Sequence, residues 1–151
     1  MTGMRCVLGL YLIIFNRVII MIEWHKYPNF SEDEFKCSAS GVCIMRPIFL
    51  EALQELRHKY GKSMVISSGY RNPEKHPIEM KKTRPGAHSH GLAADIVVAY
   101  QDAYNVLNLA IELGYFTGIG ISQKGDAASR FIHLDMMEPS EQFPRPTIWS
   151  Y

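Results

Sequence analysis

Apolar residues recur at three- and four-residue steps through Phe49, Leu50, Leu53, Leu56 and Tyr60. That period predicts an α-helix over Pro47 to Tyr60 with one apolar face. Pro47 suits its first position and Gly61 its stop. Lys62 to Ser68 then reads as a strand centred on Met64, Val65 and Ile66. Gly69 to Ala87 is a long polar loop, and loops of that length without structure of their own are usually functional or mobile. Ala93 to Ala99 reads as a second strand through Ile96, Val97 and Val98. Asp102 is the expected cap of a helix carrying Val106, Leu107, Ala110 and Leu113 and ending at Gly114. Gly118 to Ser122 and Phe131 to Met136 are two further strands, joined by a turn at Lys124, Gly125 and Asp126. Upstream, Ser31 to Phe35 reads as a short helical turn, with Ser31 and Glu34 in a capping-box spacing. The order predicts an α+β fold: a small antiparallel sheet with helices packed on one face.

The first 23 residues break this pattern. Cys6 to Phe15 is apolar, Asn16 and Arg17 interrupt it, and Val18 to Ile22 is apolar again. Three readings stand: a signal or membrane anchor, a misplaced start with Met21 as the working one, or a folded segment. Arg17 near the middle weakens a spanning helix, which needs ~20 apolar residues. Residues 24–151 read as a single domain, without repeats or low-complexity linkers.

Net charge is +1, so bulk charge gives no argument for nucleic acid. Membrane association is expected only if residues 1–23 are an anchor, and the chain is expected to be a monomer. Cys37 and Cys43 flank Gly41. They read first as small core residues, and as a local disulfide only in an oxidising compartment.

Two stretches carry candidate chemistry. In Gly86-Ala87-His88-Ser89-His90-Gly91-Leu92-Ala93-Ala94-Asp95, small residues let the chain turn so that His88 and Asp95 face one centre. In Phe131-Ile132-His133-Leu134-Asp135-Met136, His133 and Asp135 share one strand face, while Ile132 and Leu134 point to a core. Two histidines and a carboxylate, His88, Asp95 and His133, form a three-ligand set for one zinc ion, with a fourth position left for water.

The pattern His88-x-x-Gly91-x-Ala93-x-Asp95 with His133-x-Asp135, together with Ser67-Ser68-Gly69-Tyr70-Arg71, resembles the zinc D-Ala-D-Ala carboxypeptidase family, subfamily A of the M15 peptidases. Its relatives include D,D-dipeptidases, phage L-alanyl-D-glutamate endopeptidases and the hedgehog signalling domain. The resemblance runs from about Phe30 to Tyr151. It implies a zinc peptidase acting on the peptide of peptidoglycan, in the cell envelope or periplasm if exported, or in host cytoplasm or virion as a phage lysis protein. By position it implies His88, Asp95 and His133 as zinc ligands, and Arg71 as the group facing a substrate carbonyl or carboxylate.

The general base departs from the family pattern. Many relatives carry an acid where Arg130 stands, and some a histidine where Phe131 stands. Asp135 is the first candidate for base, or else an orienter of a ligand histidine; Asp126 and His90 follow. The basic side chains between Arg71 and Arg84 read either as a solvated loop or as a lid that approaches an acidic peptide stem. Trp149 and Tyr151 are expected either to close the cleft or to cover a core edge. A zinc-bearing wall-binding module or a phage structural domain, without hydrolysis, is the alternative.

Overall fold

A computed structural model describes residues 21–151, preceded by an antiparallel pairing of β1 (Ile13–Ile14) with β2 (Arg17–Val18). The competing readings of residues 1–23 turn on positions 1–20, whose side chains lie outside the described residues. Among the described residues no helix is long and apolar enough to cross a membrane.

The helices are α1 (Glu32–Phe35), α2 (Pro47–Tyr60) and α3 (Tyr100–Leu113). The remaining strands are β3 (Val65–Ser68), β4 (Ala93–Val97), β5 (Gly118–Ser122), β6 (Phe131–Asp135) and β7 (Thr147–Ser150). They form one sheet in the order β3-β4-β6-β5-β7, antiparallel except for the β5–β7 pair. The fold is α+β, as the alternation of apolar and polar residues predicts.

Alternation along the strands divides the sheet into two faces. Ala94 and Ile96 of β4, Ile132 and Leu134 of β6 and Ile119 of β5 are buried in the core cluster. Phe49, Leu50, Leu53 and Leu56 of α2 and Val106 and Ala110 of α3 fill the same cluster. Asp95, His133 and Asp135 stand at the alternate positions and are also buried.

Three expectations change. The strand after α2 starts only at Val65. Asp102 does not cap α3: the Ala103 amide closes the first turn onto the Ala99 carbonyl at 3.3 Å, and Asp102 instead pairs with Lys62 at 2.6 Å. β7 is a strand that the pattern does not announce. Cys37 is buried, Cys43 is half-buried, and both are free thiols. The short turn at α1 holds its expected cap, with the Ser31 amide donating to the Glu34 carboxylate at 2.7 Å.

Candidate metal centre

The polar face is built on one rung that crosses the whole sheet. Register aligns Ser68 with Asp95, Asp95 with His133, His133 with Gly120, and Gly120 with Trp149. In-register neighbours share a face, so Asp95 and His133 stand side by side. His88 reaches the rung from a short 3-10 turn, Ala87–His90, just before β4. Gly91 ends that turn at φ +68°, and a Cβ there would lie 2.1 Å from the Ile44 carbonyl oxygen. Only glycine permits both that dihedral and that approach.

Three atoms converge. His88 Nε2 lies 3.1 Å from His133 Nδ1, His133 Nδ1 lies 2.9 Å from an Asp95 oxygen, and that oxygen lies 3.3 Å from His88 Nε2. The outer ring nitrogens decide the tautomers. His88 Nδ1 sits 2.7 Å from the Gly69 carbonyl, which can only accept, so Nδ1 carries the proton and Nε2 presents a lone pair. His133 Nε2 sits 3.0 Å from Asp135 Oδ2, so it donates to that carboxylate and Nδ1 presents a lone pair.

With both imidazoles neutral, three buried acceptors face one another with no donor among them, an arrangement that a cation at their centre satisfies. Ligands held tetrahedrally at ~2.0–2.1 Å from zinc would stand ~3.3 Å apart, close to the triangle observed. The donor set fits the ion.

Electrostatics act oppositely on the two imidazoles. Burial lowers the His88 pKa, with Asp95 opposing. At His133 burial also pulls down, but the hydrogen bonds to Asp135 and Asp95 outweigh it and hold the imidazole above its usual value. Asp95 resists its own burial and stays well below the carboxylate range through His133 and His88.

Each ligand is held from behind. Asp95 accepts a 2.7 Å hydrogen bond from Arg71 Nη2 on its other oxygen, and Arg71 Nε donates to Ser68 Oγ at 2.8 Å. Asp135 is fully buried and receives Arg145 through Nε at 2.9 Å and Nη2 at 2.7 Å. The Met137 amide also donates to Asp135, at 3.2 Å. Against its burial, His133 and Arg145 bring Asp135 down to about 2.

Arg145 lies in a terminal stretch, Arg145-Pro146-Thr147-Ile148-Trp149, that shares the family resemblance, but sequence reasoning assigned it no role at the site. Its pairing has no signal beyond a cation shortly after a buried acid, and surface loops commonly carry one.

The last strand supplies an aromatic border. The Trp149 ring lies 5.2 Å from that of His133, with the Arg145 guanidinium 5.3 Å from its centre. The β5 glycines make room: a Cβ at Gly120 would meet the Trp149 indole at 2.8 Å, and one at Gly118 would meet Asp135 at 2.3 Å. The Tyr151 ring packs 5.1 Å from Phe131. Burial raises the Tyr151 phenol, and its ring also meets that of Trp149 edge-on at 6.3 Å.

The remaining candidates stand apart from the triangle. His90 is exposed, its ring 5.9 Å from Phe143. Asp126 is exposed at the β5–β6 turn, where it caps the short turn Ala127–Ser129. Arg130 turns toward α3 and lies over the Tyr100 ring at 4.8 Å. The long loop is pinned by Glu79, which is 3% exposed. Its carboxylate accepts from the Gly86 amide at 2.8 Å, Ser89 Oγ at 3.0 Å and Lys82 Nζ at 2.6 Å.

A family model described as Peptidase M15 matches residues 28–135, a span that contains His88, Asp95, His133 and Asp135 and ends before Arg145 and β7. No curated protein matches the chain.

Proposed function

Because the chain belongs to the Peptidase M15 family, we propose that it is a zinc-dependent peptidase of peptidoglycan, cutting a stem-peptide bond as a D-Ala-D-Ala carboxypeptidase or an endopeptidase. The observation that carries this reading is the triangle of His88 Nε2, His133 Nδ1 and the Asp95 oxygen, all of them acceptors. Zinc held there supplies a Lewis acid and brings the pKa of bound water toward ~7.

The chain's own residues do the rest. Gly69 and Asp135 fix the two imidazoles in the tautomers that point lone pairs inward. Asp135 acts as the orienter of His133, because Arg145, Met137 and His133 already occupy its oxygens. Arg71 holds Asp95 through Nη2 and presents its remaining guanidinium edge to a peptide carbonyl or a terminal carboxylate. Trp149 borders the site on the β7 side through its ring contact with His133.

A second reading has one observation in its favour. Both carboxylates at the site, Asp95 and Asp135, are buried in ion pairs, and Arg130 stands where many relatives carry an acid. A zinc-bearing wall-binding or phage structural module would need no base.

Muropeptide digestion followed by mass spectrometry separates the two. Zinc-dependent release of a peptide fragment or of D-alanine is expected. Stoichiometric zinc and wall binding with no bond cut would establish the second reading instead.

A further inference from the structure

Next to the turn Ala87–His90 lies an open concavity of about 500 Å³, lined by Lys81, Lys82, Arg84 and Gly86 from the long loop and by Gln142 and Phe143 from the segment before β7. The two walls are tied together, Gln142 Nε2 donating to the Pro85 carbonyl at 2.9 Å. The loop is not free to drift, since buried Glu79 clamps it to Gly86 and Ser89.

Lys82 is partly neutralised by Glu79. Lys81 and Arg84 are exposed, and neither has a hydrogen bond or ion pair among the described residues. With a net charge of only +1 over the whole chain, unpaired cations gathered around one hollow mark a local anion preference.

The hollow adjoins the turn that carries His88, since Gly86 lines the one and opens the other. Phe143 lies edge-on to His90, in the same turn as His88, and under the Arg145 guanidinium at 5.4 Å. Arg145 in turn holds Asp135. A peptide with its reacting bond at the triangle and its chain along Phe143 would place a neighbouring group among Lys81, Lys82 and Arg84.

We propose that this hollow is a subsite for a carboxylate of the peptide substrate, so that the enzyme selects an acidic stem over its amidated form. The proposal rests on the peptidase reading for its ligand, but its test does not depend on catalysis. The amide of Gln142 and the ring of Phe143 suit a peptide backbone with one carboxylate, and the few cations suit a single anionic group.

Titration calorimetry on the full zinc-loaded chain would use one stem peptide in three forms: carboxylates free, the internal carboxylate amidated, and the C-terminal carboxylate amidated. Amidating one of the two positions is expected to weaken binding about fivefold, and that position names the carboxylate. The double variant Lys81→Glu/Arg84→Glu, which should fold because neither side chain has a partner, is expected to lose the difference, as is the native chain in high salt. Equal binding of the three forms, no binding of any, a difference that survives in the variant, or tighter binding of inorganic phosphate than of the acidic peptide would overturn the proposal. Mass spectrometry of the same mixtures keeps the two ideas apart. Selective binding without cleavage would remove the peptidase and leave the subsite; cleavage without selectivity would do the opposite.

Discussion

The two faces of the central sheet are made from the same strands and obey different rules. On β6, Ile132 and Leu134 are buried among α2 and α3, where volume and shape decide what fits. One residue away, His133 and Asp135 are just as buried, but there charge and hydrogen-bond geometry toward Asp95, His88 and Arg145 decide what fits. A defect on the first face costs folding free energy whatever the ions present. A defect on the second is expected to cost metal affinity first, on the peptidase reading. Burial alone therefore says little about what a residue is for; the nature of its neighbours says more.

The largest effect expected is on the apolar face. Leu134→Ala should lower stability by about 2–5 kcal/mol, by the same amount with and without chelator, as read by urea denaturation. A loss that appears only in the zinc-loaded protein would erase the distinction between the faces.

His88→Ala should do the reverse. Native chain in zinc at a thousandfold its Kd gains about 4 kcal/mol over chelated chain, and the variant should gain nothing, with elemental analysis showing its zinc gone and cleavage abolished. Retained zinc at native stoichiometry would remove the triangle from the argument.

Asp135→Asn comes next, with zinc affinity falling about 10- to 100-fold, the range for a group that orients a ligand histidine. Native zinc affinity with a collapsed kcat would make Asp135 the base and not the orienter.

The smallest effect is at Asp126, exposed in the β5–β6 turn. Asp126→Ala should shift stability by less than about 0.5 kcal/mol and leave zinc content and cleavage as they were. A strong loss of activity would bring the turn into the site.

Much of this contrast is legible in the sequence because it is local. Helix α2 announces itself by spacing, with Pro47 and Gly61 at its ends. The faces of β6 follow from alternation over five residues. His88 and Asp95 are readable as a pair because Gly91, Ala93 and Ala94 leave so little bulk between them.

What stays hidden is what depends on distant partners. β7 is four residues long, and its parallel partner β5 lies some 25 residues earlier. Nothing in Thr147–Ser150 names that partner. The Arg145–Asp135 pair is invisible for the same reason, since only the β5–β7 register brings the cation back over β6. Asp102 misleads because α3 begins two residues earlier, at Tyr100: the carboxylate stands inside the first turn, past the capping position, and goes to Lys62.

The position of Trp149 gives the molecule an optical gauge. The chain holds two tryptophans, and Trp24 stacks 5.7 Å from Phe35 among the core aromatics, while Trp149 shares ring contact with His133. With Trp24 replaced by phenylalanine, indole emission would come from one fluorophore set against the ligands. Cobalt exchanged for zinc would dim it by paramagnetic quenching, so occupancy of the centre could be followed in a cuvette without any substrate.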